Sequence, residues 1–270
     1  MSRPFAFLKF VDGVAFELFS TLMVLNLYPL GLRKAKDPVL IAYHAHKRPI
    51  LLIHGLFHNR SAFFGIQRRL SRWGWPHIYM MNLATYTQGI SELAKEVSKK
   101  ADIILKKTNS KKIDIIAHSL GGIIARYYIQ LLGGSLKVRH CVTLGTPHQG
   151  TFFSRIVPGK SMQDIRMASG IIKKLNAKPL PKSVQFASFW SSFDTLVIPA
   201  RGAKLKRHTR AANHVKNIKV PWTGHAGLLF SKQICYKIAA ILDSSRKYAA
   251  VLEKKRSFLK KPLLRLLPST

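Results

Sequence analysis

Apolar residues recur along this chain in two alternating rhythms. Short runs that are apolar almost throughout predict strands: RPILLIH (48–54), HIYMMNL (77–83), KIDIIAH (112–118), RHCVTLG (139–145), VQFASFW (184–190) and HVKNIKV (214–220). Between them, longer stretches return an apolar residue every three to four positions and predict helices over Ser61–Trp73, Ile90–Lys107, Leu120–Leu132 and Ala226–Leu242. In the second of these, Ile90, Leu93, Ala94, Val97, Ala101 and Ile104 share one face. Strands that are apolar on both faces need cover on both. The alternation therefore predicts an α/β fold with a mostly parallel central sheet and helices on either side.

Three segments break the rhythm. Residues 151–183 hold SMQDIRMASGIIKKL between Pro158, Gly159, Pro179 and Pro181, a helical excursion larger than a simple crossover. At the N-terminus, Val14–Leu32 is apolar except for Glu17 and is flanked by Arg3, Lys9, Arg33 and Lys34. Its uncharged part, Leu18–Leu32, is short of the roughly 20 residues that cross a bilayer, and Pro29 and Gly31 interrupt its end. No small-x-small cleavage pattern comes after it. Three readings stay open: an uncleaved membrane anchor, a helix in the interfacial plane, or a helix packed on the next domain. At the C-terminus, Arg246–Arg265 carries eight basic residues and one acid, Glu253, interleaved with apolar ones. The organisation expected is an N-terminal segment at 1–47, a globular domain at 48–243 and a basic, apolar tail at 244–270.

Composition sharpens this picture in one respect. Apolar residues at 47% exclude wholesale disorder, but 45 Lys and Arg against 11 Asp and Glu give a net charge of +34. Such a surface favours anionic partners. Its basic residues are spread along the chain instead of being gathered in one arm, which favours an anionic membrane surface over nucleic acid. The expected localisation is membrane-associated through the N-terminal segment, and otherwise cytoplasmic. Cys141 and Cys235 sit in apolar segments and read as buried, reduced thiols. No CxxC, Cys/His cluster or acidic run has metal-ligand spacing, so no metal or organic cofactor is expected.

Candidate chemistry centres on His118-Ser119-Leu120-Gly121-Gly122, where a strand-like run meets a helix-like one. A serine on a sharp strand-to-helix turn is exposed for attack, and small residues two before and two after let neighbouring backbone approach. Those positions are Ala117 and Gly121. Alanine replaces the usual glycine at the first.

The chain resembles the α/β-hydrolase superfamily, in its bacterial lipase/esterase (triacylglycerol lipase) branch. Matching stretches are PILLIHGLFHN (49–59), IDIIAHSLGGIIARYY (113–128), VTLGTPHQGT (142–151), SSFDTLVIP (191–199) and TGHAGLLFS (223–231). The resemblance implies an α/β-hydrolase fold and a catalytic triad in the chain order Ser, acid, His. The acids between Ser119 and the later histidines are Asp164, inside the helical excursion, and Asp194, after a strand and in a stretch resembling the family's acid loop. Asp194 is the better candidate. Of the histidines beyond it, His208 lies in the cationic run KLKRHTR and His214 opens a strand. His225, between Gly224 and Gly227, stands where the family places its base. The implied oxyanion donors are the backbone N–H groups of Leu56 and Leu120.

His54, His118 and His148 read as structural, with His54 orienting the oxyanion loop. Leu56, Phe57, Phe63, Phe64, Phe152, Phe153 and Ile156 suggest an apolar wall for an acyl chain, with 151–183 as its lid. The function implied is hydrolysis of lipid-like carboxylic esters through an acyl-enzyme. The same triad also serves phospholipases, thioesterases and acyltransferases, and a non-catalytic, membrane-associated binding protein can share the fold.

Overall fold

In the computed structural model, which describes residues 3–33, 37–38, 47–208 and 212–243, the apolar runs form β1 (Ile50–Ile53), β2 (Ile78–Met81), β3 (Ile113–His118), β4 (Val138–Leu144), β5 (Gln185–Trp190) and β6 (Val215–Lys219). They build one six-stranded parallel sheet in the order β2-β1-β3-β4-β5-β6. Every residue of β1 and β3 is buried, as strands covered on both faces require. The α/β-hydrolase-type sheet read from the sequence is therefore the one observed.

The flanking helices of the first compact unit, Met1–Phe230, are α1 (Arg3–Leu32), α2 (Phe64–Arg72), α3 (Ile90–Thr108), α4 (Leu120–Leu131), α5 (Lys160–Asp164), α6 (Gly170–Ala177) and α7 (Gly227–Phe230). All six residues of the apolar face expected for α3 are fully buried, against Ile123, Ile124 and Tyr128 of α4 and Leu51, Ile53 and Ile115 of the sheet. In the second unit, Ser231–Thr270, the described helix is α8 (Lys232–Leu242). The periodicity predicts one helix over 226–242. Ser231 divides it, because its extended backbone and side-chain oxygen cap a new helix at the amide of Ile234. The basic tail at 244–270 lies outside the described residues.

The strand order reverses beside β1. Chain connections leave β1 for β2 on one side and return to β3 on the other, which opens a crevice at the carboxyl ends of β1 and β3. Register brings Ile53 opposite Ala117, so the loop after β1 and the turn after β3 start side by side.

α1 runs unbroken through Pro29, where the sequence predicts an interruption. Proline costs the helix the ladder bond to the Leu25 oxygen, and beyond it tertiary donors bind the carbonyls that the helix end leaves unpaired. Asn59 Nδ2 donates to the Tyr28 oxygen (2.9 Å), Arg60 Nη2 to those of Leu30 (3.3 Å) and Arg33 (2.9 Å), and Asn82 Nδ2 to that of Gly31 (2.9 Å). Gly13, Ser20, Val24 and Gly31 are buried at helical spacing, with Phe16 and Glu17 half-buried between them. Ala6–Leu32 is long and apolar enough to cross a membrane by length and composition, at a mean hydropathy of 1.5. Here it lies along the first unit. Its outer face is apolar, with Leu18, Leu22 and Leu25 each about 60% exposed.

Candidate active site

Ser119 sits between the last residue of β3 and the first of α4 with φ 53° and ψ −127°, a conformation that costs an L-residue about 1–3 kcal/mol. Its surroundings hold it there. The Ser119 amide donates to the Leu144 oxygen at 2.9 Å, and its carbonyl accepts from the Gly122 amide at 3.0 Å. Glycine is required at two neighbouring points of close approach. A Cβ on Gly121 would lie 2.5 Å from the carbonyl oxygens of Ile53 and His54, and one on Gly55 would lie 2.7 Å from the Ser119 Cβ. Ala117 faces no such constraint, because its methyl joins the apolar core with Ile53 and Leu120. Alanine at that position is packing, not a defect of the turn.

Asp194 and His225 are brought together from the loops after β5 and β6. His225 Nδ1 donates to Asp194 Oδ2 at 2.8 Å, and both side chains are buried. Oδ1 of Asp194 accepts from the amides of Leu196 (2.9 Å) and Val197 (3.0 Å). Burial alone would raise Asp194, but the His225 charge and hydrogen bond and the two amides outweigh it and hold the carboxyl below its ordinary range. Burial alone would lower His225, but the Asp194 charge and hydrogen bond, with a smaller contribution from Glu17, raise it above the ordinary imidazole value. The pair crosses over Gly145, where a Cβ would meet Asp194 Oδ2 at 3.0 Å and His225 Nδ1 at 3.1 Å. Ser119 and His225 line the same cavity.

The other candidates separate cleanly. Asp164 is a helix cap, accepting from the Ile90 amide at 2.7 Å. His214 Nε2 donates to the Leu180 oxygen at 3.1 Å. His208 borders a different cavity, with Pro179 and Lys206. A further buried acid–histidine pair, Asp114–His140 (2.8 Å), belongs to the opposite end of the sheet, where Asp114 stands opposite Ile50 and binds Arg48.

The structural histidines each have a definable task. His54 Nδ1 donates to the Gly55 oxygen (2.8 Å) while its Nε2 accepts from the Leu83 amide (2.9 Å), a pattern only the neutral ring can make. Burial lowers it to about 4, so it ties the loop after β1 to the chain just past β2 without carrying charge. His118 Nε2 donates to the His225 oxygen at 3.1 Å, and its ring stacks on that of His58. Burial holds His118 well below its ordinary value and His58 at about 4. The two imidazoles beside His225 are thus neutral. His148 is held between the Thr143 hydroxyl and the buried Arg126, which donates onward to the Leu175 oxygen (2.8 Å) and fixes α6 against α4.

Leu56 and Leu120 line the cavity with Ser119, in the loop after β1 and at the start of α4. Leu120 opens its helix, where amides lack an intrahelical acceptor. The cavity holds about 190 Å³ and is walled by Phe57, Phe153, Met162, Ile165, Leu196 and Val197. Of the apolar wall read from the sequence, Leu56, Phe57 and Phe153 are in place. Phe63 is instead fully buried in the core, Phe64 does not line the cavity, and Phe152 and Ile156 face solvent. Met162 and Ile165 come from α5 and its C-cap, so part of the 151–183 excursion lines the cavity. Glu17 is a neighbour of the site that no motif identifies. Its one signal in the sequence is isolation, as the sole acid between Asp12 and Asp37.

Residues 48–231 match the family model described as alpha/beta hydrolase fold. The chain is similar to a triacylglycerol lipase of Burkholderia plantarii, 29% identical over 211 residues that cover 72% of this chain and 54% of the relative. It is also similar to a triacylglycerol lipase of Pseudarthrobacter phenanthrenivorans, 29% identical over 67% of this chain and 56% of the relative. The chain thus spans little more than half the length of these curated relatives. Among solved structures, a Bacillus licheniformis lipase in mature form superposes with a TM-score of 0.62 at 14% identity, covering 73% of this chain and 92% of that one. Aspergillus fumigatus lipase B does so with a TM-score of 0.66 at 14% identity, covering 80% and 59%. At that identity the likeness is one of fold. The match to the family model covers more than half of the chain, which belongs to the alpha/beta hydrolase fold family.

Proposed function

We propose that the chain is a serine hydrolase of carboxylic esters with an apolar acyl part. The observation that carries this reading is that His225, held by the buried Asp194, lines the same apolar cavity as a serine on a strained turn. With Nδ1 of His225 donating to Asp194, Nε2 is the basic nitrogen of the neutral ring. It accepts the Ser119 proton as Oγ bonds to the ester carbonyl carbon. The oxyanion formed is met by the amides of Leu56 and Leu120. His225 then protonates the departing alkoxide, leaving an acyl group on Ser119, and a water deprotonated by His225 releases the acid. Two relatives that bear the name triacylglycerol lipase support a lipid-like ester. The net charge of +34 and the apolar outer face of α1 suit work at an anionic lipid surface.

The test is hydrolysis of p-nitrophenyl esters of increasing acyl length by the wild type and Ser119→Ala. Turnover by the wild type alone is expected, over the acyl lengths the cavity accepts. Absence of turnover on every ester would overturn the reading.

A further inference from the structure

We propose that Glu17 of α1 is a positioning residue for His225, so that the N-terminal helix is a working part of the catalytic site. This rests on the reading of Ser119, Asp194 and His225 as a triad. The Glu17 carboxylate reaches across from α1 and accepts from two consecutive amides, Ala226 through Oε1 and Gly227 through Oε2, each at 2.8 Å. These are the two residues directly after His225. A carboxylate held by two parallel N–H groups fixes the backbone in angle as well as in distance, and charge-assisted bonds of this kind are about twice as strong as neutral ones.

The loop is shaped around this contact. A Cβ on Gly224 would lie 2.3 Å from the Glu17 carboxyl carbon, and one on Gly227 would lie 3.0 Å from the Phe16 ring. Gly13 lets α1 approach Trp222, to whose carbonyl oxygen a Cβ would come within 2.9 Å. His225 is thereby gripped at three points: its ring by Asp194, its carbonyl by His118, and the chain beyond it by Glu17. α1 also reaches the acid loop. Phe10 packs edge-on against Phe193, the residue before Asp194, at 5.7 Å between ring centres.

A helix docked on both loops sets where the base stands relative to the serine. Misplacement of a catalytic group by an ångström costs up to about 10²-fold in rate. Among the described residues, the titratable groups facing His225 are Asp194 from the loop after β5, Glu17 from α1, His118 at the end of β3 and His58 in the loop after β1. The two histidines are neutral. Removing the Glu17 charge therefore leaves Asp194 as the one anion stabilising the imidazolium, and the acidic limb of the rate profile moves to lower pH.

The experiment compares full-length wild type, Ser119→Ala and Glu17→Gln on a short, soluble ester. Glu17→Gln keeps one acceptor oxygen but loses the charge and the second acceptor. The expected result is a fall in kcat on the order of 10-fold or more with KM little changed, and an acidic limb displaced downward. A merely structural role for Glu17 would lower thermal stability and leave the limb in place. Wild-type kcat and an unmoved limb in Glu17→Gln would overturn the proposal, while loss of activity in Ser119→Ala would keep the triad reading intact. No activity in the wild type would instead sink the triad reading itself. Should Glu17→Gln lack the wild-type near-UV spectrum, Glu17→Asp carries the test. It keeps the charge but is one methylene short, so kcat falls while the limb and thermal stability stay as in the wild type, whereas a merely structural role would lower stability. Wild-type kcat in Glu17→Asp would equally overturn the assignment.

Discussion

His225 and Asp194 are separated by 31 positions in sequence and joined by a buried 2.8 Å hydrogen bond from Nδ1 to Oδ2. The bond fixes which ring nitrogen carries the proton, and in the proposed mechanism the carboxylate charge supports the imidazolium that forms when Ser119 gives up its own. Replacing Asp194 by Asn keeps the volume and an oxygen for the amides of Leu196 and Val197, but removes the charge. Asp194→Asn is expected to lower kcat on the order of 10³–10⁴-fold with little change in KM. Steady-state kinetics check this, and a loss of less than tenfold would speak against the assigned role.

The same pair sets the pH dependence. In its proposed role as base His225 acts only when neutral, and Asp194 and Glu17 outweigh burial and raise it above the ordinary imidazole value of about 6.5. The imidazolium therefore persists to higher pH than usual, and kcat/KM falls as pH drops through a midpoint above 6.5. His54, His58 and His118 are all lowered and contribute nothing in that window. A pH profile of kcat/KM measures the midpoint directly; one at or below 6.5 would contradict the charge arrangement described.

Much of this site is legible in the sequence. Ser119, Asp194, His225 and Leu56 each come after an apolar run that makes a strand, and a parallel sheet gathers the loops beyond its strands at one edge. The features that stay hidden depend on tertiary contact. Glu17 lies 209 positions from its partner Ala226 and reads in isolation as a flaw in a membrane-spanning pattern. The donors from Asn59, Arg60 and Asn82 that bind the last turn of α1 are likewise announced by no local pattern. Phe63 departs from its expected place for a related reason. Its spacing is the same whether a side chain faces the cavity or the core, and packing decides for the core.

The turn itself offers a paired test. Ala117→Gly removes a buried methyl and adds strand entropy, for a cost of about 1 kcal/mol, and leaves activity intact. Gly121→Ala drives a methyl into the carbonyls of Ile53 and His54, and displaces the loop that carries Leu56. Urea denaturation and ester kinetics on the two variants should show mild destabilisation with full activity in the first, and a large loss of activity in the second. Equal behaviour of the two would refute the view of Gly121 as the site of close approach.

The outer face of α1 gives a prediction about lipid. Leu18, Leu22 and Leu25 are exposed in a row on a helix whose inner face is docked. Changing all three to Ser should weaken sedimentation with phosphatidylglycerol vesicles and leave hydrolysis of a soluble ester at the wild-type rate. Vesicle binding unaffected by the triple change would remove α1 from the lipid contact.

The central claim is that Ser119 is the nucleophile, and covalent capture reads it most directly. The full chain is treated with a fluorophosphonate, digested, and the adduct located by mass spectrometry. One adduct is expected, on Ser119, absent from Ser119→Ala and formed far more slowly in His225→Ala. An adduct on another residue, or equal labelling of the wild type and Ser119→Ala, would contradict the claim.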